Sequence, residues 1–338
     1  MGYKLAVVIP TLNEEKFIAC CLVSVIGQTF PVTDMDVMVI DGGSDDRTCE
    51  VVAAYHKKYS NIRLLNNPRR IQSIAFNIGV EKSDAPYIMR LDAHATYDKY
   101  YVERCLKVFM EDEEVGNGSG MIGNVGGVCH IHPRHSGIMA GASAILNKTR
   151  FGIGGAAFRV GGGAGYVDTV PFGCFPRVVL NKVGGMREDL PRGEDNEFNS
   201  RIRKAGYKVY FDPDIISNYY SRDTLSANIR QMYANGVSIG HLFHVDRTAI
   251  SLRHFVPFLF VTCIITGIVL SMFFRPFLFV LLMGGGIYFT SDVIASLLAA
   301  WRHGWRYFLP LFIMYFCVHV SYGWGTIVGL FTGKGLKK

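Results

Sequence analysis

The 338-residue chain has little that would build an extracellular scaffold or a zinc module. Its eight cysteines are scattered, only Cys20 and Cys21 being adjacent, and no C-x-x-C pair occurs. That spacing fits neither a disulfide framework nor a zinc knuckle, so the thiols read as reduced filler. The opening "MGYKLAVVIPTLNEEKF" lacks the long apolar run of a secretory signal, because its short one ends in Asn13, Glu14 and Glu15. The soluble part is therefore expected in the cytosol. Charge is scarce in one region: from His254 to Phe331 the only formally charged residues are Arg275, Asp292, Arg302 and Arg306. The net charge of +7 is modest, and Arg222, Arg230, Arg247, Arg253, Lys334, Lys337 and Lys338 beside that region explain part of it. Nothing in this balance calls for a nucleic acid.

What the tail does contain is three apolar runs, Phe255 to Phe274, Pro276 to Trp301 and Tyr307 to Phe331. Each reaches the roughly 20 residues that cross a bilayer as a helix. Two or three transmembrane helices are expected in residues 254–338. Arg247 and Arg253, with Arg302 and Arg306, mark the cytosolic side, and three full spans would leave the terminal lysines outside, against the charge rule. Residues 221–253 precede the runs; within them Ile229, Met232 or Tyr233, Val237 and Phe243 recur at helical spacing. That pattern suits an amphipathic helix on a membrane surface or one packed on the soluble core. Asp292 would be costly against lipid, so it should face protein, water or a headgroup.

Residues 1–220 read as one soluble domain. Its first hundred residues alternate apolar runs ("KLAVVIP", "MDVMVID", "IRLLNN", "YIMRLDA") with helical patterns over Glu14 to Gln28, Asp46 to Tyr59 and Ile71 to Val80. Continuous apolarity within the runs predicts an α/β fold with a mainly parallel sheet covered by helices on both faces. Ligands of such sheets gather at the carboxyl ends of the strands, so Pro10 to Asn13, Asp41 to Asp45 and Asp92 to His94 should share a crevice. From Glu111 to Gly173 the chain turns glycine-rich with few periodic signals, either a mobile covering loop or an irregular connection. Order returns with "EDNEFNSRIRKAG", a helix from about Glu194 to Gly206, and the strand "YKVYFDP".

Asp92 and His94 form the sharpest local signal. Two residues apart in an extended segment, a carboxylate and an imidazole point to one side and can reach one cation. This mixture suits manganese or magnesium held mostly by a ligand's phosphates. The alternative is an acid that orients a surface histidine. His130, His132 and His135 offer a third ligand or are ordinary loop histidines.

The segments "VVIPTLNEE", "VIDGGSDDRT", "RRIQSIAFNIGV", "MRLDAHATY", "GGMREDLPRGEDNEF" and "IRKAGYKVYFDP" occur in the order and approximate spacing of the family 2 inverting glycosyltransferases, and residues 4–245 resemble that family. "DAHATY", "FGIGGAAFR" and "GYVDTVPFG" are similar to its membrane-attached, succinoglycan-type exopolysaccharide enzymes. The resemblance implies a GT-A, Rossmann-like catalytic domain. Pro10, Thr11, Asn13 and Glu14 would edge the nucleotide pocket, and Asp41 would hold the base of a UDP-type donor. Asn77 matches an R-N-x-G helix in which Phe76 replaces the arginine, and Arg69 and Arg70 would face the diphosphate instead. Asp92 takes the first place of the D-x-D element, where it would also contact the nucleotide, and His94 replaces the second acid, either as a metal ligand or as a hydrogen-bond partner of the diphosphate. Asp195, beside Glu194, matches the catalytic base. Arg230 and Gln231 stand where relatives carry Q-x-x-R-W, although Ala234 and Asn235 replace the expected pair.

These likenesses imply a metal-dependent hexosyltransferase with Mn2+ or Mg2+, held at the cytoplasmic membrane as a multi-pass protein with its catalytic domain in the cytosol. Its partners would be a nucleotide-sugar donor and a polyprenyl-diphosphate-linked saccharide, since a tethered enzyme meets a lipid-borne acceptor in two dimensions. A homo-oligomer is left open. Two other readings stay in view: a catalytically degenerate scaffold, and a processive polysaccharide synthase, which usually has spans on both sides of its catalytic domain.

Overall fold

The apolar runs have no face suited to water, and they are buried as parallel strands. In the computed structural model, which describes residues 2–115 and 120–335, these are β1 (Leu5–Thr11), β2 (Met35–Asp41), β3 (Ile62–Asn66) and β4 (Tyr87–Arg90). Between them run α1 (Ile18–Ile26), α2 (Thr48–His56) and α3 (Gln72–Glu81). Leu5 to Ile9 and Val37 to Ile40 are without exposed surface. The first two helices are shorter than the pattern predicts: α1 starts at Ile18 because Asn13 to Glu15 turn back onto Ser44, Thr48 and Asp46.

The sheet order is β3-β2-β1-β4, continued by β8 (Cys174–Pro176), β6 (Ile122–His132), β9 (Lys208–Tyr220) and β5 (Ala95–Tyr97), with β7 (Gly165–Val167) on β9. The first four strands pair in parallel, and β6 and β9 run the same way, Lys208 bonding Met121 at one end and Ser221 bonding His132 at the other; β8 is antiparallel to β4 and β6, and β5 and β7 are antiparallel to β9. The expected α/β sheet is present, mainly parallel along its centre, with β8, β5 and β7 as its antiparallel members. Register aligns Thr11 with Asp41 and Asp41 with Asn66, so their carboxyl ends form one row, and β4 stops at Arg90, opposite Val8.

The glycine-rich region departs most from expectation. "GNGS" lies outside the described residues, but much of the rest is regular: it supplies the last turn of α4 (Tyr101–Val115), the long β6, α5 (Ile138–Leu146) and the short α6 (Arg150–Ile153) and α7 (Ala157–Val160). The glycines of β6 serve close packing. A side chain at Gly127 would meet the backbone carbonyls of Ile215 and Asp212. Replacing Gly127 by alanine should therefore destabilise the protein toward the upper part of roughly 1–3 kcal/mol, read as a lowered thermal midpoint.

The chain divides into two units, Met1–His130 with Gly161–Tyr219, and Ile131–Val160 with Tyr220–Lys338. The first also holds α8 (Arg177–Val183) and α9 (Glu194–Lys204); the second holds α10 (Leu225–Val245), α11 (Phe255–Ser271), α12 (Arg275–His303) and α13 (Phe308–Thr332). The sequence division at 220 and 253 differs, because 131–160 joins the C-terminal unit. There Ala142, Ile145 and Leu146 share an apolar cluster with Met232, Leu311, Met314 and Tyr315. Leu252–Ser271, Arg275–His303 and Trp305–Thr332 are long and apolar enough to cross a membrane. Lys337 and Lys338 lie outside the described residues.

Candidate active site

A cavity opens at the carboxyl ends of β1 and β4, lined by Pro10, Thr11, Glu14, Arg70, Gln72, Asp92 and His94 among others. Asp92 and His94 share it for a different reason than strand alternation. β4 ends at Arg90, and the Ala95 N–H donates to the Asp92 carbonyl at 3.2 Å, so the pair sits on a turn between β4 and β5. Leu91, Ala93 and Ala95 bury themselves and leave the two polar side chains toward the opening.

One guanidinium organises the acids. Arg90, only 6% exposed, donates through Nη2 to Asp92 Oδ1 at 3.1 Å and through Nη1 to Asp195, and Glu194 Oε1 lies 4.0 Å from Nη1. Burial alone would favour loss of its proton, but Asp195, Asp92 and Glu194 hold it firmly charged. Gly193, left-handed at φ 82°, starts α9 and delivers Glu194 and Asp195 on its first turn, where acids are favoured. Burial, reinforced by Asp195, pushes the Glu194 carboxyl up to about 7 against the pull of Arg90. Asp195 is the more open, its side chain 41% exposed.

This proton has a consequence for stability. A carboxyl raised from 4.5 to about 7 on folding binds protons more tightly in the native state, so its contribution is full below about pH 4.5 and lost as pH climbs to about 7. The shift corresponds to roughly 3 kcal/mol. Glu194→Gln should escape that loss, with its thermal midpoint rising relative to the parent through this window and level above it.

Some expected nucleotide residues have local tasks instead. The Asp41 carboxylate accepts the Gly43 and Ser44 N–H groups at 2.8 and 2.9 Å and the Ser44 hydroxyl at 2.5 Å. It builds its own turn, the role a strand-to-helix connection requires without any ligand. Asn13 (φ 55°) accepts the Asp45 N–H at 3.0 Å. Asn77 bonds the Met186 backbone at 2.8 and 2.9 Å, and Arg69 pairs with Glu188 at 2.6 Å, so both fasten the loop ahead of α9 rather than face the cavity. Arg70 does line it. His135 lies 3.8 Å from Asp223 in the second unit, and His130 is exposed on β6. Arg230 and Gln231 belong to α10 of the second unit.

Two groups that bond Asp92 were not singled out by the sequence, and of these Gln72 lines the cavity. Arg90 had a visible signal, a charge inside an otherwise apolar strand. Gln72, whose Nε2 donates to Asp92 Oδ1 at 3.1 Å, had none.

For a divalent ion, the donor set fits in part. Asp92 Oδ2 has no hydrogen-bond partner among the described residues, His94 Nδ1 lies 2.8 Å from Glu14 Oε1, and all three side chains line the cavity. Among the described residues no three His, Cys, Asp or Glu are grouped as a ready cage. Three carboxylates around one guanidinium also leave negative charge in excess, which a divalent ion would balance. This is the environment of an ion held chiefly by a ligand's phosphates.

The family described as "Glycosyl transferase family 2" matches residues 6–166. The protein carries a family 2 glycosyltransferase domain. It is 25% identical over 98% of its length, and 99% of the relative's, to the dolichyl N-acetyl-α-D-glucosaminyl phosphate 3-β-D-2,3-diacetamido-2,3-dideoxy-β-D-glucuronosyltransferase of Methanococcus voltae. It is 28% identical to the succinoglycan biosynthesis protein ExoA of Rhizobium meliloti, over 74% of this chain and 73% of that one. Among solved structures, a mannosyltransferase from Pyrobaculum calidifontis in complex with GDP-Man and Mn2+ superposes with a TM-score of 0.61 at 17% identity, covering 96% of this chain and 88% of that one. That likeness is one of fold, a GT-A-like α/β sheet. A glycosyltransferase of this family moves a sugar from a nucleotide sugar.

Proposed function

We propose that the protein is a membrane-anchored, metal-dependent, inverting glycosyltransferase that moves one sugar from a nucleotide-diphosphate sugar, a UDP-sugar by the family likeness, to a saccharide carried on a polyprenyl diphosphate. It works at the cytoplasmic membrane as a multi-pass protein with its catalytic unit in the cytosol, in exopolysaccharide or cell-surface glycan assembly. The observation that carries this reading is the Arg90 cluster: one buried cation joins Asp92, at the nucleotide cavity, to Asp195 and Glu194, the acids at the start of α9. The lipid acceptor rests on the apolar helices and on the Methanococcus relative, whose name gives a dolichyl phosphate sugar as acceptor.

Asp195, open at its outer side, takes the acceptor hydroxyl proton as that oxygen attacks the anomeric carbon from the face opposite the leaving diphosphate. Arg90 holds the Asp195 carboxylate in place and links its position to that of Asp92. Asp92 and His94, with Glu14 behind the imidazole, would hold the divalent ion. When bound, such an ion neutralises charge developing on the diphosphate. Pro10, Thr11 and Arg70 edge the donor.

Incubation of the full-length protein with a panel of nucleotide sugars and a membrane lipid extract, with and without Mn2+, tests the reading. Sugar transfer to lipid that needs the ion, Asp92 and Asp195 supports it. Nucleotide binding without turnover under every condition would favour the scaffold reading.

A further inference from the structure

The three long apolar helices do not face their surroundings alike. In Leu252–Ser271 and Arg275–His303, 6% of the most apolar stretch is buried; in Trp305–Thr332 the share is 39%. α12 exposes Phe277, Leu278, Phe279 and Val280 in succession, around its whole circumference, as a lipid-bathed helix does. α13 exposes Leu309, Ile313, Phe316, Trp324 and Phe331, which fall on one helical stripe, and covers the opposite face.

The cover over much of that face is α10. Added side chains at Gly325 and Gly329 would meet the carbonyls of Tyr233 and Val237, and ones at Gly236 and Gly240 would meet the backbone of Tyr322 and Gly329. Two G-x-x-x-G stretches therefore touch backbone to backbone. His241 Nε2 lies 3.0 Å from Thr332 Oγ1 and His244 Nε2 2.8 Å from the Leu330 carbonyl. Residue numbers rise together across the contact, so the helices are parallel and α10 follows α13 along its second half. Yet α10 carries Arg230, Gln231, Asn235, His241 and His244, side chains that a hydrocarbon interior disfavours.

Depth along the hairpin points the same way. α11 and α12 meet at Phe260 and Tyr288, ring centroids 4.3 Å apart, and again where Gly267 faces Leu281. Phe260 is in the second turn of α11, so Tyr288 marks the start of the hairpin. The Tyr288 hydroxyl lies 2.9 Å from His319 Nδ1, which puts His319 at the same level. Asp292, fully buried and 3.1 Å from Ser296 Oγ, is one turn farther out on α12. If all three helices crossed, both polar residues would lie near the middle of a span. If only the hairpin crosses, both sit at its mouth.

We infer that the bilayer is crossed only by α11 and by α12 up to about Ser291, and that α10 and α13 form a paired docking face whose partner is the lipid surface, in the headgroup–acyl boundary on the side where the hairpin begins. Each crossing arm is about 25 Å long at 1.5 Å per residue, close to the hydrocarbon thickness. The exposed stripe of α13 enters the acyl boundary, Trp301 and Trp305 lie at the headgroup level, and Arg302, Arg306 and Lys334 meet anionic headgroups. Arg253, Arg302, Arg306 and Lys334 then share one side, which removes the charge conflict of three spans.

The inference rests on the membrane-anchored reading, and two reporters separate them. Green fluorescent protein, fluorescent only in the cytosol, and alkaline phosphatase, active only across the membrane, are fused in turn after Lys338 and into the 272–274 loop of the full chain. The expected result is fluorescence from the C-terminal fusion and phosphatase activity from the loop insertion. Phosphatase activity at both sites means a third span and overturns the inference while the anchor stands. A loop insertion that fluoresces overturns the inference and the anchored reading together. Protease treatment of sealed inverted vesicles bearing a C-terminal epitope checks the same point without a bulky fusion: loss of the epitope agrees with the inference, protection contradicts it.

Discussion

Asp195→Asn is expected to lower sugar transfer by about 10²–10⁴-fold, the range set by loss of a positioned general base, while nucleotide affinity changes little. The amide has the size of the carboxylate and keeps an oxygen for the Arg90 Nη1 donor, so the site stays assembled. What it loses is the ability to take a proton. Because Asp195 also raises the Glu194 carboxyl by like-charge repulsion, the variant should bring Glu194 down from about 7, and residual activity should shift its pH dependence to lower pH. Turnover and nucleotide affinity measured on the same preparation decide the matter. A fully active Asp195→Asn protein together with an inactive Glu194→Gln protein would move the base role to Glu194.

The parallel half of the sheet was legible because its strands are buried on both faces and therefore unbroken in apolarity; "VMVID" and "KLAVVIP" admit little else. Of the other strands only β9 was, from "YKVYFDP". β6 contains Gly123, which makes room for the Ile202 and Tyr207 side chains, and Gly126 and Gly127, which admit neighbouring backbone; a run of glycines has no period from which a strand can be read. Within the site, Asp92, His94, Glu14, Glu194 and Asp195 were readable as acids and an imidazole at strand and helix ends. Asp41 and Asn77 were harder to place, since a carboxylate that caps its own turn and one that holds a nucleotide have the same sequence context. Arg90 was masked by its strand: its importance lies in contacts with Asp195 across 105 residues, a proximity that no local pattern carries.

Removal of that arginine should have the largest effect on folding. Arg90→Met keeps much of the apolar stem of a 6% exposed side chain but leaves Asp92, Glu194 and Asp195 together without their cation. Breaking a buried ion pair from one side typically destabilises by about 3–5 kcal/mol, and the loss here should depend on pH. Without the guanidinium, which pulls the Glu194 carboxyl down, that group rises still further, so the variant recovers stability at acidic pH, where the carboxyl is neutral, and is weakest above neutrality. Arg90→Lys should recover only part of the loss, because a single ammonium cannot direct separate donors to Asp92 and Asp195 as the planar fork does. Combining Arg90→Met with Asp195→Asn removes one of the stranded charges, so the double variant should be more stable than the sum of the two single effects. Thermal midpoints of the parent and the four variants between about pH 5 and 8 supply the measurement. Strict additivity would mean that Arg90 and Asp195 are energetically independent, and the proposed link between donor cavity and catalytic acid would then fail.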